Sequence, residues 1–395
     1  MDKKSILIFG VGELQKSIIN RAKLMGLYVV GIDPCEDAAC RNEVDAFEVV
    51  GGQDYEGTLA VAKKYNIAAV VTAATDKPLV MMARIAYDLG LRFYSEETAI
   101  WSTDKYQMKQ RFIEGGVPCA RGRVIKSVEE VADLDFPLIL KPRDNSGSRG
   151  VILCRDKQAL EEAMAEALQY TRLDSVLVEE FIEGREFSIE SLHYDGKSEV
   201  IQFTEKKTTE FPYNVELGHK QPASLTAEQQ DAIREIVAKI SSALHFENCP
   251  SHTELKINDR GIFVIETSPR LGGDYITSTL TPLSTGINIE DLLLHIALGE
   301  KVDTNSGRTN KASGVRFFDL SGETICYVPA DYKVVFKKQG VYSIDFKLNK
   351  GDEIPSIKSS LNRYGQLIVF ANTPQELEER LECCYNEFIT SLIIK

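Results

Sequence analysis

The segment HTELKINDRGIFVIETSPR, residues 252–270, constrains the fold more than any other, because its pattern predicts a β-hairpin with two glutamates side by side. Residues 259–261, Asp-Arg-Gly, are typical of a three-residue hairpin loop with glycine in the left-handed position. Counting outward from this loop pairs Glu254 with Glu266 on one face of the hairpin. The other face is then apolar and carries Leu255, Ile257, Phe263 and Ile265.

Two carboxylates that face each other across a strand pair, with Cβ atoms about 5 Å apart, repel each other unless positive charge lies between them. A divalent cation would remove this repulsion, and ligands that are all oxygens favour magnesium. The same count places Ser268 on the face of the two glutamates, opposite His252. The alternative is a solvated edge hairpin whose surface carries two acids.

Composition limits the classes of function. The chain has 395 residues, of which 43% are hydrophobic, enough for two or three domains with proper cores. A net charge of -13 argues against a general binder of nucleic acid or of anionic membranes, because both need a basic surface. The 8 cysteines form no pair of CxxC motifs, which favours reduced thiols in a cytoplasmic protein. No apolar run approaches membrane-spanning length, so neither a membrane nor a targeting role is expected.

The first hundred residues alternate strand and helix patterns, which predicts a parallel, Rossmann-like sheet. The turn GVGELQ after the first strand is similar to a dinucleotide-binding turn. Gln15 stands where the third glycine of that pattern would be, so a purely architectural turn is the alternative to NAD binding. A dehydrogenase is therefore a minor hypothesis.

The next segment, FPLILKPRDNSGSRGVILC, predicts a strand that ends at Lys141, a flexible turn and a second strand. Small residues in such a turn let backbone N–H groups approach an anion, and the loop can close over a phosphate as a lid. An ordinary hairpin turn is the alternative. The length of the turn and the adjacent lysine favour phosphate. The later segment VEEFIEG offers exposed backbone groups for an adenine edge.

Taken in order, these motifs resemble the ATP-grasp superfamily of ATP-dependent carboxylate–amine ligases, in its L-amino-acid ligase and carbamoyl-phosphate-synthase-like branch. The resemblance spans residues 1 to about 300 and includes DK in a helix, ILKP with its glycine-rich loop, VEEFIEG, and the paired glutamates that lead into ETSPRLGG. It implies an α/β Rossmann-like domain followed by an α+β ATP-grasp fold, whose two subdomains clamp ATP, and a C-terminal α+β appendage. The implied bounds are 1–101 for the Rossmann-like domain, 102–183 for the small lid subdomain, 184–300 for the large subdomain with the metal site, and 301–395 for its extension.

The resemblance also implies a role for each residue that matches a motif. Lys105 and Lys141 would contact the nucleotide phosphates, and Ser146, Gly147, Ser148 and Gly150 would form the lid. Glu179, Glu180 and Ile182 would line the adenine site, and Glu186 would bind the ribose. Glu254, Glu266 and Ser268 would hold Mg²⁺, for which Mn²⁺ can substitute, and Arg270 would stabilise an acyl phosphate. Many members have asparagine at the position of Ser268, and serine is the poorer ligand, so one or two metal ions remain open.

The acceptor end is less clear from sequence. In the amino-acid-ligase branch, a stretch similar to FPYNVELGHKQPA borders the acceptor pocket, which suggests that Glu216 meets an amine and that His219 orients or deprotonates it. The alternative is that His219 is a loop residue satisfied by backbone groups. After residue 300, the segments GVRFFDL, KVVFKK, YSIDFKL and GQLIVFAN predict four strands before a helix over residues 374–392.

Elementary chemistry agrees with the resemblance. Joining a carboxylate to an amine in water requires a good leaving group on the carboxylate, and ATP supplies a phosphoryl group for it. The protein then contributes electrostatic stabilisation and needs no nucleophilic side chain. The leading hypothesis is an ATP-dependent ligase of small-molecule carboxylates and amines that releases ADP and phosphate; ligases of this type often form homodimers. The alternatives are a non-catalytic ATP-binding protein and a ligase of the purine or carbamoyl-phosphate type with another acceptor.

Overall fold

The computed structural model of the chain describes residues 3–131, 133–211, 213–338 and 340–395. The chain begins with four strands: β1 (Ser5–Phe9), β2 (Tyr28–Asp33), β3 (Ala46–Val49) and β4 (Ile67–Val71). They form a parallel sheet in the order β3-β2-β1-β4. The strands are connected through α1 (Lys16–Leu24) and α2 (Tyr55–Lys64), and α3 (Leu79–Leu89) follows the last one. Because parallel strands share one carboxyl edge, the loops after β1 and β4 open on the same side.

Two further helices, α4 (Glu96–Thr103) and α5 (Lys105–Glu114), lead into a second sheet. Its strands are β5 (Gly122–Ile125), β6 (Leu138–Pro142), β7 (Ile152–Cys154) and β8 (Val176–Glu180). They pair antiparallel in the order β5-β8-β6-β7. The helix α6 (Lys157–Ala167) covers one face, where Leu160 and Ala163 join the apolar cluster of Leu138, Leu140 and Val178. This small sheet carries the predicted phosphate loop between β6 and β7.

The third sheet is the largest and has eight strands. These are β9 (Arg185–Tyr194), β10 (Lys197–Thr208), β11 (Glu216–Gln221), β12 (Cys249–Asn258), β13 (Gly261–Ser268), β14 (Ala312–Phe317), β16 (Val341–Phe346) and β17 (Gly365–Ala371). Their order is β13-β12-β9-β10-β11-β14-β17-β16, and all neighbours are antiparallel. The short strands β15 (Ile325–Tyr327) and β18 (Ile393–Ile394) pair separately. The last part of the chain therefore extends the same sheet that carries the glutamate hairpin.

The remaining helices pack on this large sheet and beside it. They are α7 (Ala227–Leu244), α8 (Thr281–Thr285), α9 (Ile289–Ala297), α10 (Tyr332–Val335) and α11 (Pro374–Ser391). On one side, Ile240 and Leu244 of α7 share a core with Leu7 and Val30 of the parallel sheet. On the other side, α9 packs on that sheet and on Leu192 of β9. These two cores place the carboxyl edge of the parallel sheet against the glutamate hairpin.

One predicted strand of the C-terminal region is wrong. The segment KVVFKK was predicted to be extended, but its first half forms the end of α10. Tyr332 and Phe336 are buried in the C-terminal core, whereas Val334 and Val335 are exposed. An aromatic pair four residues apart falls on one face of a helix, so its burial outweighs the β-propensity of the two valines.

Within the described ranges, each helix is either too short or too polar to cross a bilayer.

Candidate active site

The hairpin of β12 and β13 pairs Glu254 with Glu266, and His252 with Ser268, as the sequence predicted. The predicted three-residue loop is wrong, because Asn258 pairs with Gly261 and leaves only two residues in the turn. The predicted register is therefore shifted by one residue next to the turn. It is correct again at the two glutamates.

A β-bulge restores the register. Leu255 pairs with Val264 while Glu254 pairs with Glu266, so Ile265 is the extra residue on β13. The apolar face consequently carries Leu255, Ile257, Ile262 and Val264, all of which pack in the apolar cores. Ile265 and Phe263 were predicted on that face, and this prediction is wrong: Phe263 pairs with Lys256, and Ile265 lines the cleft beside the glutamates.

We call the space between the small and the large sheet the inner cleft. It is lined by most of the predicted nucleotide-site residues, namely Lys105, Lys141, Ser146, Gly147, Ser148, Glu179, Glu180, Ile182, Glu186, Glu254 and Glu266. Gly147 and Ser148 of its phosphate loop have positive φ angles of 70° and 56°. Gly150 packs against Pro142 and Tyr170 so closely that a Cβ there would lie 2.9 Å from each of them.

A buried ion triad holds one phosphate-site lysine in the cleft. Glu179 accepts from Lys109 Nζ at 2.5 Å through one carboxylate oxygen and forms an ion pair with Lys141 through the other. The three side chains are only 5–7% exposed. Burial raises the pKa of Glu179, but the two lysines outweigh it and lower the pKa overall. Lys141 is therefore fixed in position by a carboxylate that is itself fixed by Lys109.

The far end of the inner cleft is aromatic. The rings of Phe181 and Phe211 meet edge to face with centroids 5.0 Å apart. Lys256 Nζ lies 5.3 Å from the Phe181 centroid and 3.5 Å from Glu186 Oε2. Flat apolar rings next to a carboxylate suit a flat base joined to a sugar hydroxyl. Phe211 was not among the predicted site residues.

Lys206, on β10, connects three of the predicted acidic groups. Its Nζ lies 2.8 Å from Glu186 Oε1, 3.0 Å from Glu254 Oε2 and 3.5 Å from Glu216 Oε1. The side chain is only 2% exposed. Burial lowers the pKa of Lys206, but the three carboxylates outweigh this effect and raise the pKa well above its usual value. The carboxylates that were predicted to bind the ribose, the acceptor and the metal thus all contact one ammonium group.

His252 supports Glu254 from the other side. Its Nδ1 lies 2.6 Å from Glu190 Oε1, and its Nε2 lies 3.3 Å from Glu254 Oε1. Burial lowers the pKa of His252, but Glu190 and Glu254 raise it to about 9 overall. The imidazole is thus charged at neutral pH, and each oxygen of Glu254 faces a cationic group.

Arg270 is held by a residue from the parallel sheet. Asp76, in the loop after β4, lies 2.9 Å from Arg270 Nε and 3.2 Å from Arg270 Nη2. The hydroxyl of Ser268 donates to the same carboxylate at 2.5 Å. Burial raises the pKa of Asp76, but Arg270 and Ser268 outweigh it and lower the pKa overall. Asp76 therefore fixes both the arginine and the serine of the site.

Arg270 faces a second space, the outer cavity, which is also lined by Ser188, His219 and Asp274. Arg363, from the C-terminal region, forms two 2.6 Å hydrogen bonds with Asp274 and stacks on Phe317. His219 Nε2 lies 3.4 Å from Asp274 Oδ2. In the described part of the chain, His219 Nδ1 and Ser188 Oγ are buried without a hydrogen-bond partner. A polar ligand would satisfy them.

The inner cleft and the outer cavity meet at a common wall. The residues that line both are Ser146, Gly147, Arg149, Glu216, Glu254 and Glu266. The paired glutamates thus lie at the boundary between the two spaces.

The donor set at this boundary fits magnesium shared with a nucleotide. Glu254 and Glu266 supply carboxylate oxygens, and Mg²⁺ in proteins is commonly bound by one or two carboxylates plus substrate phosphates. Glu266 Oε2 lies 3.0 Å from Lys105 Nζ. Among the described residues, no group of three or more acidic, histidine or cysteine side chains forms a complete metal cage by itself.

Comparison with known proteins identifies a domain that contains the candidate site. Residues 134–278 match the family model described as an ATP-grasp domain. These residues hold the phosphate loop, Lys206 and the glutamate hairpin. The chain thus contains an ATP-grasp domain.

Two relatives of this ATP-grasp protein cover different shares of it. Alanine–anticapsin ligase of Bacillus amyloliquefaciens is 26% identical over 277 residues, which are 62% of this chain and 58% of that ligase. The chain thus spans under two thirds of the length of that relative. Formate-dependent phosphoribosylglycinamide formyltransferase of Erythrobacter litoralis is 26% identical over 343 residues, which are 82% of this chain and 84% of the relative.

Among solved structures, L-amino acid ligase from Bacillus licheniformis superimposes with a TM-score of 0.85 at 22% identity. The match covers 100% of both chains. It shows that the two proteins share the ATP-grasp fold throughout.

Several residues of the ATP-grasp site were missed from sequence, among them Asp76, Lys109, Lys206 and Arg363. Asp76 had a usable signal, since polar residues after parallel strands lie where ligands bind. Lys109 resembled a solvated helix lysine because its partner Glu179 is 70 positions away. Lys206 and Arg363 contact their partners only because the large sheet pairs strands that are distant in sequence.

Proposed function

We propose that this protein is an ATP-dependent carboxylate–amine ligase that forms a peptide-like amide through an acyl phosphate and releases ADP and phosphate. The observation that carries this proposal is the Glu254–Glu266 pair at the boundary between the inner cleft and the outer cavity. ATP in the inner cleft would present its terminal phosphate to a carboxylate in the outer cavity. Such an arrangement permits in-line attack without a covalent enzyme intermediate.

The side chains divide the work of phosphoryl transfer. Lys105 and Lys141 would bind the phosphates, and the loop with Ser146, Gly147 and Ser148 would close over them. Mg²⁺ or Mn²⁺ on Glu254 and Glu266 would supply neutralising charge to the phosphate oxygens. Arg270 would stabilise the acyl phosphate from the side of the outer cavity. Its ion pair with Asp76 keeps the guanidinium oriented before substrate arrives.

The acceptor amine would bind beside Glu216 and His219. Both residues line the outer cavity, and a carboxylate attracts an ammonium group. An amine must lose a proton before it attacks the acyl phosphate, and Nδ1 of His219, unpartnered in the part of the chain that the structure describes, would accept that proton. Ser268, predicted as a metal ligand, would join the metal site only through water or after its hydroxyl leaves Asp76.

The test is phosphate release by the full-length protein with Mg²⁺, ATP and pairs of amino acids, with products identified by mass spectrometry. We expect release only when a correct pair is present. Glu254→Gln with Glu266→Gln should abolish it, while the matched control of two exposed acids, Glu183→Gln with Glu210→Gln, should retain it. Calorimetry that detects nucleotide binding but no phosphate release with any pair would favour the non-catalytic alternative. Failure to bind ATP would contradict both.

A second candidate is a ligase with a larger acceptor, as in the purine or carbamoyl-phosphate type. Another cavity shares Leu14, Gly273 and Asp274 with the outer cavity and extends past Ser17 and Lys347. The formyltransferase relative, whose name specifies phosphoribosylglycinamide, covers more of the chain than the anticapsin ligase. Phosphate release with phosphoribosylglycinamide and formate, but with no amino-acid pair, would favour this candidate.

We also infer the domain bounds 1–101, 102–183, 184–300 and 301–395. The parallel strand order β3-β2-β1-β4 supports a Rossmann-like first domain. A cytoplasmic location and a homodimer are part of the proposal. Light scattering on the purified protein would test the dimer.

A further inference from the structure

We propose that Lys206 acts as a built-in cation that keeps free divalent metal out of the acidic site until a nucleotide arrives. This role deepens the proposed function and rests on it, because it takes Glu254 as a metal ligand. Lys206 acts through Glu254 in this proposal and is therefore a positioning residue.

The first argument is geometric. Lys206 Nζ lies within 3.5 Å of oxygens from Glu186, Glu216 and Glu254, and the side chain is buried. Three carboxylates this close to one point attract a cation strongly. The ammonium group already occupies that point. A free metal ion would have to displace it from Glu254.

The second argument is the local charge. Lys206 and Lys256 belong to one contact network with Glu186, Glu216 and Glu254, and His252 connects Glu254 to Glu190. Both oxygens of Glu254 are engaged, one by Lys206 and the other by His252. A divalent ion alone would therefore have to displace at least one of these two partners from Glu254. Phosphates would bring compensating negative charge with the metal.

The third argument comes from Glu266. Its carboxylate lies 3.0 Å from Lys105 Nζ, and Lys105 also lines the inner cleft. Lys105 is predicted to bind phosphate, so nucleotide binding would draw this lysine away from Glu266. The same event would free one metal ligand and supply phosphate oxygens. Metal entry and nucleotide entry are thereby coupled.

The experiment is a titration of the full-length protein with Mn²⁺, following free Mn²⁺ by electron paramagnetic resonance, with and without ADP. We expect the wild type to bind Mn²⁺ weakly without nucleotide and about tenfold or more tightly with ADP. Lys206→Met should bind Mn²⁺ alone about tenfold or more tightly than the wild type. Lys206→Arg should behave as the wild type, and so should Lys207→Met, which removes the same charge from an exposed neighbour on β10.

The outcomes separate the two proposals. If the wild type binds Mn²⁺ equally well with and without ADP, or if folded Lys206→Met titrates as the wild type does, the role of Lys206 is wrong while the metal site stands. If neither protein binds Mn²⁺ even with ADP, the metal site is wrong as well. Circular dichroism establishes whether Lys206→Met is folded, and Lys206→Gln, titrated in the same way, takes its place if it is not.

Discussion

Removing the carboxylate of Glu179 should destabilise the small sheet severely. In Glu179→Gln, the ammonium groups of Lys109 and Lys141 remain buried, each about 5% exposed, without the charge that matched them. Removing one partner of a buried ion pair costs about 3–5 kcal/mol of unfolding free energy. At about 1.2 °C for each kcal/mol, as expected for 395 residues that unfold together, the melting temperature should fall by about 4–6 °C.

The matched control is Glu180→Gln, at the next position of β8. Glu180 pairs with Arg121 at 3.4 Å, and the Arg121 side chain is 66% exposed. Glu180 is 16% exposed, but water screens its mostly exposed partner, so the pair contributes about 0–1 kcal/mol. Urea unfolding and calorimetric melting of the two variants should therefore differ clearly. Equal losses in both variants would refute the structural role assigned to the triad.

The pH dependence gives an independent test of the same triad. The pKa of Glu179 is lowered in the folded protein from its usual 4.5. Its stabilising contribution is thus fully present above pH 4.5 and is lost as the pH falls through the lower, folded-state pKa. The difference in unfolding free energy between the wild type and Glu179→Gln should shrink in that acidic range. A difference that stays constant there would contradict the ionised state of Glu179.

Three further predictions concern the rest of the site. Asp76→Asn removes the charge that orients Arg270. In steady-state kinetics, kcat for phosphate release should therefore fall about ten- to hundredfold, with little change in ATP affinity. An unchanged kcat would refute this. The raised pKa of His252, about 9, gives stability that is full below pH 6.5 and lost as the pH rises through about 9. Urea unfolding should show this loss in the wild type and not in His252→Gln, and parallel curves would exclude it. Arg363→Met should raise the KM of the acceptor about tenfold and leave the KM of ATP unchanged, whereas Arg316→Met, on the same sheet, should change neither.

The pairing of the two glutamates was predicted correctly from the sequence because both residues lie close to a short turn. Strand alternation carries side-chain direction over a few residues, and only the loop length has to be guessed. The predicted loop was one residue too long. The bulge at Ile265 shifts the register by one residue, so the predicted pairing is correct again at Glu254 and Glu266. The correct pairing was therefore reached with a wrong loop and an unseen bulge.

Other features depend on contacts that sequence patterns do not reveal. Asp76 meets Ser268 across 192 positions, and the contact requires the parallel sheet to pack against the large one. Lys206 meets Glu254 because β9 lies between β10 and β12 in the sheet order. For the segment KVVFKK, local propensity favoured a strand, but the burial of Tyr332 and Phe336 decided for a helix. Tertiary packing decided each of these cases.

The continuity of the large sheet through β14, β17 and β16 has a consequence for engineering. Cutting the chain after residue 300 would leave β11 as an open edge and would remove Arg363, the hydrogen-bond partner of Asp274 in the wall of the outer cavity. To exchange acceptor preference between relatives, residues 301–395 should therefore be grafted as a whole, so that the strand pairing stays intact. Shorter transplants would carry the arginine without the framework that aims it.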